Sequence, residues 1–138
     1  MMAAWWPTPA AAKAMPEVAA QMNAVSKIVF SRALTSADWH KTTLIKSDLV
    51  GTISRMKAEF GPDMAILGSG SVVTQLAGAG LIDTIQMVVN PIALGGGKTF
   101  LAGLRHPLNL TFTHARTFEN GSVVLRYGGR GRVHGSRT

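Results

Sequence analysis

The chain has 138 residues, a length typical of one domain, and its 14 Lys and Arg against 7 Asp and Glu give a formal net charge of +7 at pH 7, which suits anionic ligands. It contains no cysteine, which excludes disulfides, thiolate metal ligands and a cysteine nucleophile, and its 4 histidines form no close pair, so we expect no metal site. No apolar run reaches the roughly 20 residues of a membrane span, and the N-terminus lacks the features of a signal peptide, so we expect a cytoplasmic protein with no membrane partner.

The first half of the chain predicts two strands and three helical segments. The strands are the compact apolar run KIVF within residues 26–32 and the β-branched segment Thr42–Ile45. A helix is expected after Asp48, a helix-capping residue type, because apolar side chains recur at helical spacing until Gly61 and Pro62. Two shorter helical segments are expected earlier, at residues 1–6 and 18–25.

The second half predicts two more strands, one helix and a terminal hairpin. An apolar strand at residues 64–67 is expected to enter a Gly-Ser turn, after which apolar side chains recur at helical spacing. Thr84–Val89 predicts the next strand, and a glycine-rich loop follows it at residues 91–100. The hairpin comprises the alternating residues 108–113, the turn signal Asn120-Gly121 and the apolar run 123–127.

This order of elements predicts an α/β fold. Helices between strands imply parallel connections, and the hairpin adds antiparallel strands at one edge. We therefore expect a mixed, mostly parallel sheet with flanking helices in a single domain at residues 1–128. Residues 129–138 are rich in Gly and Arg, and we expect them to form a disordered basic tail.

The turn Gly68-Ser69-Gly70-Ser71 lies between a strand end and a helix start, which makes it the first candidate site. Unpaired N–H groups and the helix dipole at such a place attract anions such as a cofactor pyrophosphate, and glycine lets a phosphate approach the backbone. A tight turn with a serine N-cap explains the same residues. Because short Gly/Ser turns are common, both interpretations stay open, and the pattern is neither the GxGxxG fingerprint nor a Walker A loop.

Two other segments follow strands and are candidates for ligand contacts. Ser31 and Arg32 end the KIVF strand, and ligands of open α/β sheets gather at the carboxyl ends of parallel strands. Arg suits a phosphomonoester such as the 2′-phosphate of NADP, whereas an exposed strand-end pair is the alternative. The run Leu94-Gly95-Gly96-Gly97-Lys98 is either a loop that covers a ligand or a flexible connection.

The remaining candidates are weaker. Asp83 is either catalytic or a strand-start residue that bonds nearby backbone. The arginines near the C-terminus lack interleaved aromatic residues, so we do not expect nucleic acid as a partner. They are Arg126, Arg130, Arg132 and Arg137. No nucleophile–base pair or acidic dyad is recognisable, so any chemistry is expected to come from a bound cofactor.

Three stretches of this chain together resemble one family. They are KIVFSRAL, then MAILGSGSVVTQLAGAGLIDTIQMVVNPIALGGGKTFLAG, and then the hairpin end SVVLRYGGR. They resemble the dihydrofolate reductase-like family and, more closely, the reductase domain of the bacterial bifunctional riboflavin-biosynthesis deaminase/reductase with its stand-alone relatives. The resemblance runs from Met1 to about Arg130.

The resemblance implies NADPH as cofactor, lying across the carboxyl ends of the strands. It implies that Ser31 and Arg32 lie near the adenosine 2′-phosphate and that the Gly-Ser turn holds the pyrophosphate on the helix N-terminus. It also implies that the segment matching P-x-x-L-G borders the nicotinamide and the substrate. The implied cofactor-binding residues are Ser31, Arg32, Gly68, Ser69, Gly70, Ser71, Pro91, Leu94, Gly95 and Gly96.

The chain departs from the family pattern at its front. Family members begin with a strand, a substrate loop and a helix that carries a G-R-x-T-Y-type motif, and MMAAWWP resembles the end of that helix. We therefore expect an N-terminally truncated reductase that transfers hydride to a heterocyclic or ribose-derived small molecule, and that forms a homodimer. The alternative is a non-catalytic dimeric relative that binds a nucleotide, inactive because the first strand and loop are missing.

Overall fold

The computed structural model describes residues 2–67 and 69–129. Its internal contacts divide the chain into two compact units, one up to Leu49 and the other from Val50, and each is described by itself.

The first unit begins with a 3₁₀ turn at Met2–Ala4 and two short helices, α1 (Pro9–Ala14) and α2 (Pro16–Ala24). The backbone N–H of Ala11 donates to the Thr8 hydroxyl at 3.2 Å, and Pro9 fills the first turn, where no N–H is needed. No helix was predicted from the sequence at α1, although this Thr-Pro signal is typical of a helix start. The helix predicted at residues 18–25 is confirmed as α2.

Two parallel strands follow, β1 (Lys27–Phe30) and β2 (Thr42–Ile45). They pair from Lys27 opposite Thr42 to Phe30 opposite Ile45, which confirms both predicted strands. The N–H of Ser31 donates to the Ile45 carbonyl at 3.1 Å and carries the pairing one residue further. Ser31 therefore lies at the carboxyl edge of this sheet.

Two helices precede the second sheet, α3 (Leu49–Ala58) and α4 (Gly70–Gly78). Both occupy segments in which apolar residues recur at helical spacing, as predicted. Leu76 and Ala77 of α4 are buried and belong to the small core of the described residues. The chain leaves α4 through Gly80, whose φ of +69° suits glycine.

The strand predicted at residues 64–67 is wrong. This apolar segment, Met-Ala-Ile-Leu, forms no strand and its side chains are exposed. A strand requires a neighbour that accepts and donates its backbone hydrogen bonds, and none of the described strands pairs with this segment. Strand-like composition alone was insufficient here.

The second sheet contains β3 (Thr84–Val89), β4 (Leu110–Thr117) and β5 (Val123–Gly129) in the order β3-β5-β4. Both pairings are antiparallel, and the β4–β5 pair confirms the predicted hairpin. A bulge interrupts the β4–β5 register between Phe112 and His114. Ile85 of β3 is the buried apolar side chain of this sheet.

Helices, a parallel pair of strands and an antiparallel sheet together confirm the mixed α/β class. The described strands form two sheets instead of the one mostly parallel sheet that was predicted, because β3, β4 and β5 pair only antiparallel. β5 includes Gly129, the first residue of the predicted tail, and the rest of that tail lies outside the described residues. Within the described parts of the chain, no helix is long and apolar enough to cross a membrane.

Candidate functional site

At the N-terminus of α4, two backbone N–H groups have no acceptor among the residues that the structure describes. Ser69 is the N-cap residue, but its φ of +63° is left-handed and its side chain makes no capping hydrogen bond. The N–H groups of Val72 and Val73 donate to the Ser69 carbonyl at 3.0 and 3.1 Å. Within residues 69–129, the N–H groups of Gly70 and Ser71 have no hydrogen-bond partner. The serine-capped turn that the sequence left open as an alternative is therefore not formed by Ser69.

The surroundings of this helix end suit an anion. The first turn carries no acidic side chain, and a Cβ added at Gly70 would meet no atom within 4 Å. Because α4 has nine residues, its dipole places partial positive charge where these free N–H groups lie. Gly68, the remaining residue of the predicted turn, lies outside the described residues.

Ser31 and Arg32 lie in the first unit, directly after β1. The Ser31 hydroxyl accepts a hydrogen bond from the N–H of Leu34 at 3.2 Å, so its own proton remains available to a ligand. Arg32 is exposed, and no carboxylate among the described residues pairs with its guanidinium group. All N–H donors of the Arg32 guanidinium group are therefore available to a phosphate.

The glycine-rich loop starts at the end of β3 and is held there by the β4–β5 turn. The Ser122 hydroxyl donates to the Asn90 side-chain oxygen at 3.1 Å. A Cβ added at Gly121 would lie 3.2 Å from the Cγ of Pro91. Neither Asn90 nor Ser122 was singled out from the sequence, although the turn signal at Asn120-Gly121 was recognised.

The middle of the loop is open. Leu94 is 77% exposed, and added Cβ atoms at Gly95, Gly96 and Gly97 would meet nothing within 4 Å. Gly95 and Gly97 have φ values of +69° and +151°, so the backbone conformation, not packing, requires glycine there. This segment therefore has room for a ligand beside its backbone.

The segment that follows the loop returns to α4. The Thr74 hydroxyl donates to the Ala102 carbonyl at 3.3 Å, and the Cδ2 of Leu104 would lie 4.0 Å from a Cβ at Gly78. Within the second unit, these contacts join the later part of α4 to the residues that follow the glycine-rich loop, and they involve none of the predicted site residues.

Asp83 has a structural partner. Its carboxylate forms an ion pair with the ammonium of Lys57 from α3, and its backbone carbonyl accepts from the N–H of Gly129 at 2.9 Å. Asp83 therefore has structural contacts at the start of β3, but its carboxylate pairs with Lys57 and not with nearby backbone as the structural interpretation expected. Among the described residues, no group of His, Asp and Glu side chains could hold a metal ion.

A curated relative resembles much of this chain. It is the uncharacterized protein YyaP from Bacillus subtilis (strain 168), which is 27% identical over 106 residues. The match covers 77% of this chain and 56% of YyaP, so the chain spans little more than half the length of that relative.

Two solved structures resemble the fold. One is a protein provisionally assigned to riboflavin biosynthesis from Shewanella sp. PV-4, with a TM-score of 0.66 and 20% identity, matched over 86% of this chain and 71% of its own. The other is a pyrimidine reductase-like protein from Corynebacterium diphtheriae, with a TM-score of 0.55 and 17% identity, matched over 76% of this chain and 50% of its own. Both support the dihydrofolate reductase-like fold.

The family model of the RibD C-terminal domain matches residues 1–124, which is most of the chain. The match includes β1, both helices of the second unit, the glycine-rich loop and the start of β5. The chain therefore belongs to the RibD C-terminal domain family.

Proposed function

We propose that the chain is an NADPH-dependent reductase of the riboflavin-biosynthesis type, acting on a C=N or C=O bond of a heterocyclic or ribose-derived small molecule. The observation that carries the proposal is the uncapped N-terminus of α4, found in a chain of the RibD C-terminal domain family. An anion is the ligand that such a helix end attracts, and the cofactor of this proposal carries a pyrophosphate.

Each candidate segment has a distinct binding role in this proposal. The N–H groups of Gly70 and Ser71 donate to pyrophosphate oxygens, and the Ser69 hydroxyl adds a further donor. Arg32 binds the 2′-phosphate through paired N–H groups, with Ser31 beside it. Because NADPH carries several negative charges, the net charge of +7 favours the encounter.

The loop after β3 has the second role. Pro91, Leu94, Gly95 and Gly96 border the nicotinamide and the substrate in this proposal. The exposed Leu94 side chain excludes water when a ligand covers it, and the glycines let the ligand approach the backbone. NADPH, when bound, supplies the hydride, so the residues of the chain only bind, orient and desolvate.

Titration with NADPH, followed by quenching of Trp fluorescence, tests the proposal. A dissociation constant below about 1 mM is expected, and the absence of binding at that concentration would contradict the proposal. Ser69→Asp places a carboxylate where the pyrophosphate is expected and should abolish binding. Ser54→Asp makes the same change on exposed α3 and serves as the matched control.

The alternative function is that of a non-catalytic nucleotide-binding relative. It predicts that NADPH binds with the same dependence on Ser69 but is not oxidised by any heterocyclic or ribose-derived acceptor. The expected homodimer stays a prediction, which sedimentation of the full chain would check.

A further inference from the structure

The turn between β4 and β5 reaches across to the start of the glycine-rich loop. Ser122, with 8% of its surface exposed, is the buried polar residue among those that the structure describes. Its backbone N–H donates to the Asn120 side-chain oxygen at 3.0 Å, which fixes the residue in the turn. Its hydroxyl is then directed at Asn90, 32 positions earlier in the chain, at 3.1 Å.

The neighbouring glycine makes a second contact with the loop. Gly121 has a φ of +82°, and its N–H donates to the Phe118 carbonyl at 2.9 Å. A Cβ at this position would lie 3.2 and 3.3 Å from the Cγ and Cβ of Pro91. Glycine is therefore required both by the turn and by the close approach of the proline ring.

These contacts fix the first residues of the loop. Asn90 is held by Ser122, Pro91 lies against Gly121, and the N–H of Ile92 donates to the Asn90 carbonyl at 2.8 Å. The segment just after the loop is held separately, where the Thr74 hydroxyl of α4 donates to the Ala102 carbonyl. Between the two anchors, residues 93–99 are exposed and belong to no helix or strand, so the contacts described here hold this segment at its ends.

We propose that Ser122 and Gly121 are positioning residues, which hold Asn90 and Pro91 so that the loop is arranged for the cofactor before it binds. This inference rests on the proposed function, because it assigns the role of the loop to NADPH binding. A loop that is ordered in advance loses less conformational entropy when the ligand binds, so its anchors contribute to affinity without touching the ligand.

The first test measures the loop itself and needs no cofactor. Hydrogen exchange of the Ile92 amide is expected to become about 2- to 10-fold faster in Ser122→Ala, the range that the loss of one hydrogen bond predicts. Thr113→Val is the matched control, because it removes the hydrogen bond from the Thr113 hydroxyl to the Arg126 carbonyl (2.9 Å) in the same sheet. Ile92 exchange that is unchanged in Ser122→Ala, or equally accelerated in both variants, overturns the proposal.

The second test measures NADPH affinity in the full chain. Ser122→Ala is expected to weaken binding about 2- to 10-fold, while Ser122→Thr, which keeps the hydroxyl, restores it and Thr113→Val has no effect. A merely structural role predicts that affinity follows thermal stability in all three variants, and that result would overturn the proposal.

The two tests separate this inference from the function on which it rests. If the unmodified chain binds no NADPH, the proposed function fails. The rate of Ile92 amide exchange in Ser122→Ala then still shows whether Ser122 anchors the loop. If Ser122→Ala accelerates Ile92 exchange but leaves NADPH affinity unchanged, the proposed function stands and the positioning role is overturned.

Discussion

Gly129, the last residue of β5, passes so close to Ile82 that a methyl group added to it would lie 2.5 Å from the Ile82 carbonyl oxygen. The N–H of Gly129 also donates to the Asp83 carbonyl at 2.9 Å. The backbone entering β3 and the backbone leaving β5 thus meet at a point where no side chain fits. Asp83 is tied to α3 through its ion pair with Lys57, so this contact helps to join helix and sheet.

Gly129→Ala is therefore expected to destabilise the protein by about 1–3 kcal/mol, because the carbonyl has to move away from the added methyl group. Thermal unfolding followed by circular dichroism should show a midpoint lower by roughly 3–10 °C. Gly128→Ala is the matched control, since its Cβ would make an ordinary contact of 3.7 Å with Thr113. Equal shifts in the two variants would contradict this account of the contact.

Asn23 stabilises the first unit through both ends of its amide. The nitrogen donates to the Trp6 and Ala19 carbonyls at 2.9 and 2.8 Å, and the oxygen accepts from the Trp39 indole at 2.7 Å. Asn23→Ala removes all three bonds and should lower stability by about 2–3 kcal/mol. Urea unfolding monitored by Trp fluorescence measures the loss. Gln21→Ala, at an exposed position of the same helix, is expected to change stability by less than about 0.5 kcal/mol.

Burial and the neighbouring ammonium of Lys41 lower the pKa of Lys27 below its ordinary value of 10.5. The Lys27 ammonium donates to the Val25 carbonyl at 2.8 Å and lies 4.5 Å from the centre of the Trp39 ring. Between the lowered pKa and 10.5, Lys27 is protonated in the unfolded chain and largely deprotonated in the folded one. Because the unfolded state binds more protons there, Lys27 makes the free energy of unfolding increase as the pH rises across this window.

Lys41→Gln removes one of the two causes and is expected to raise the pKa of Lys27 toward 10.5, with a narrower window of pH-dependent stability. An NMR titration of the Lys27 side chain measures this directly. Lys46→Gln, an exposed lysine after β2, controls for the loss of one positive charge. A Lys27 pKa that does not move in Lys41→Gln would leave burial as the cause.

Arg32 should decide between the two nicotinamide cofactors. In the proposed function its guanidinium binds the 2′-phosphate, which NADPH carries and NADH lacks. Arg32→Gln is expected to weaken NADPH binding by about 10- to 100-fold, the range for a lost charge-assisted hydrogen bond, and to leave NADH binding unchanged. Arg105→Gln, at another exposed position, controls for net charge. A parallel loss for both cofactors would remove Arg32 from the phosphate site.

The sequence by itself determined those elements whose signals are local. Alternating residues and the Asn120-Gly121 turn were sufficient for the β4–β5 hairpin, because side-chain period and turn chemistry depend only on neighbours in the chain. The strands Thr42–Ile45 and Thr84–Val89 have the predicted bounds for the same reason. The motif stretch from residue 64 to residue 103 was also sufficient to indicate the family that the comparisons establish.

Only the tertiary structure decided the features that depend on contacts between residues far apart in the sequence. Residues 64–67 have the composition of a strand but form none, because no described strand offers them hydrogen bonds. The contact between Ser122 and Asn90 joins residues 32 positions apart, and nothing in either segment indicates the other. Ser69 has the residue type of an N-cap, yet its left-handed backbone turns the side chain away from that role. Local chemistry therefore indicated the loops of the candidate site, whereas the three-dimensional structure showed the backbone conformation of Ser69 and the contact that holds the start of the glycine-rich loop.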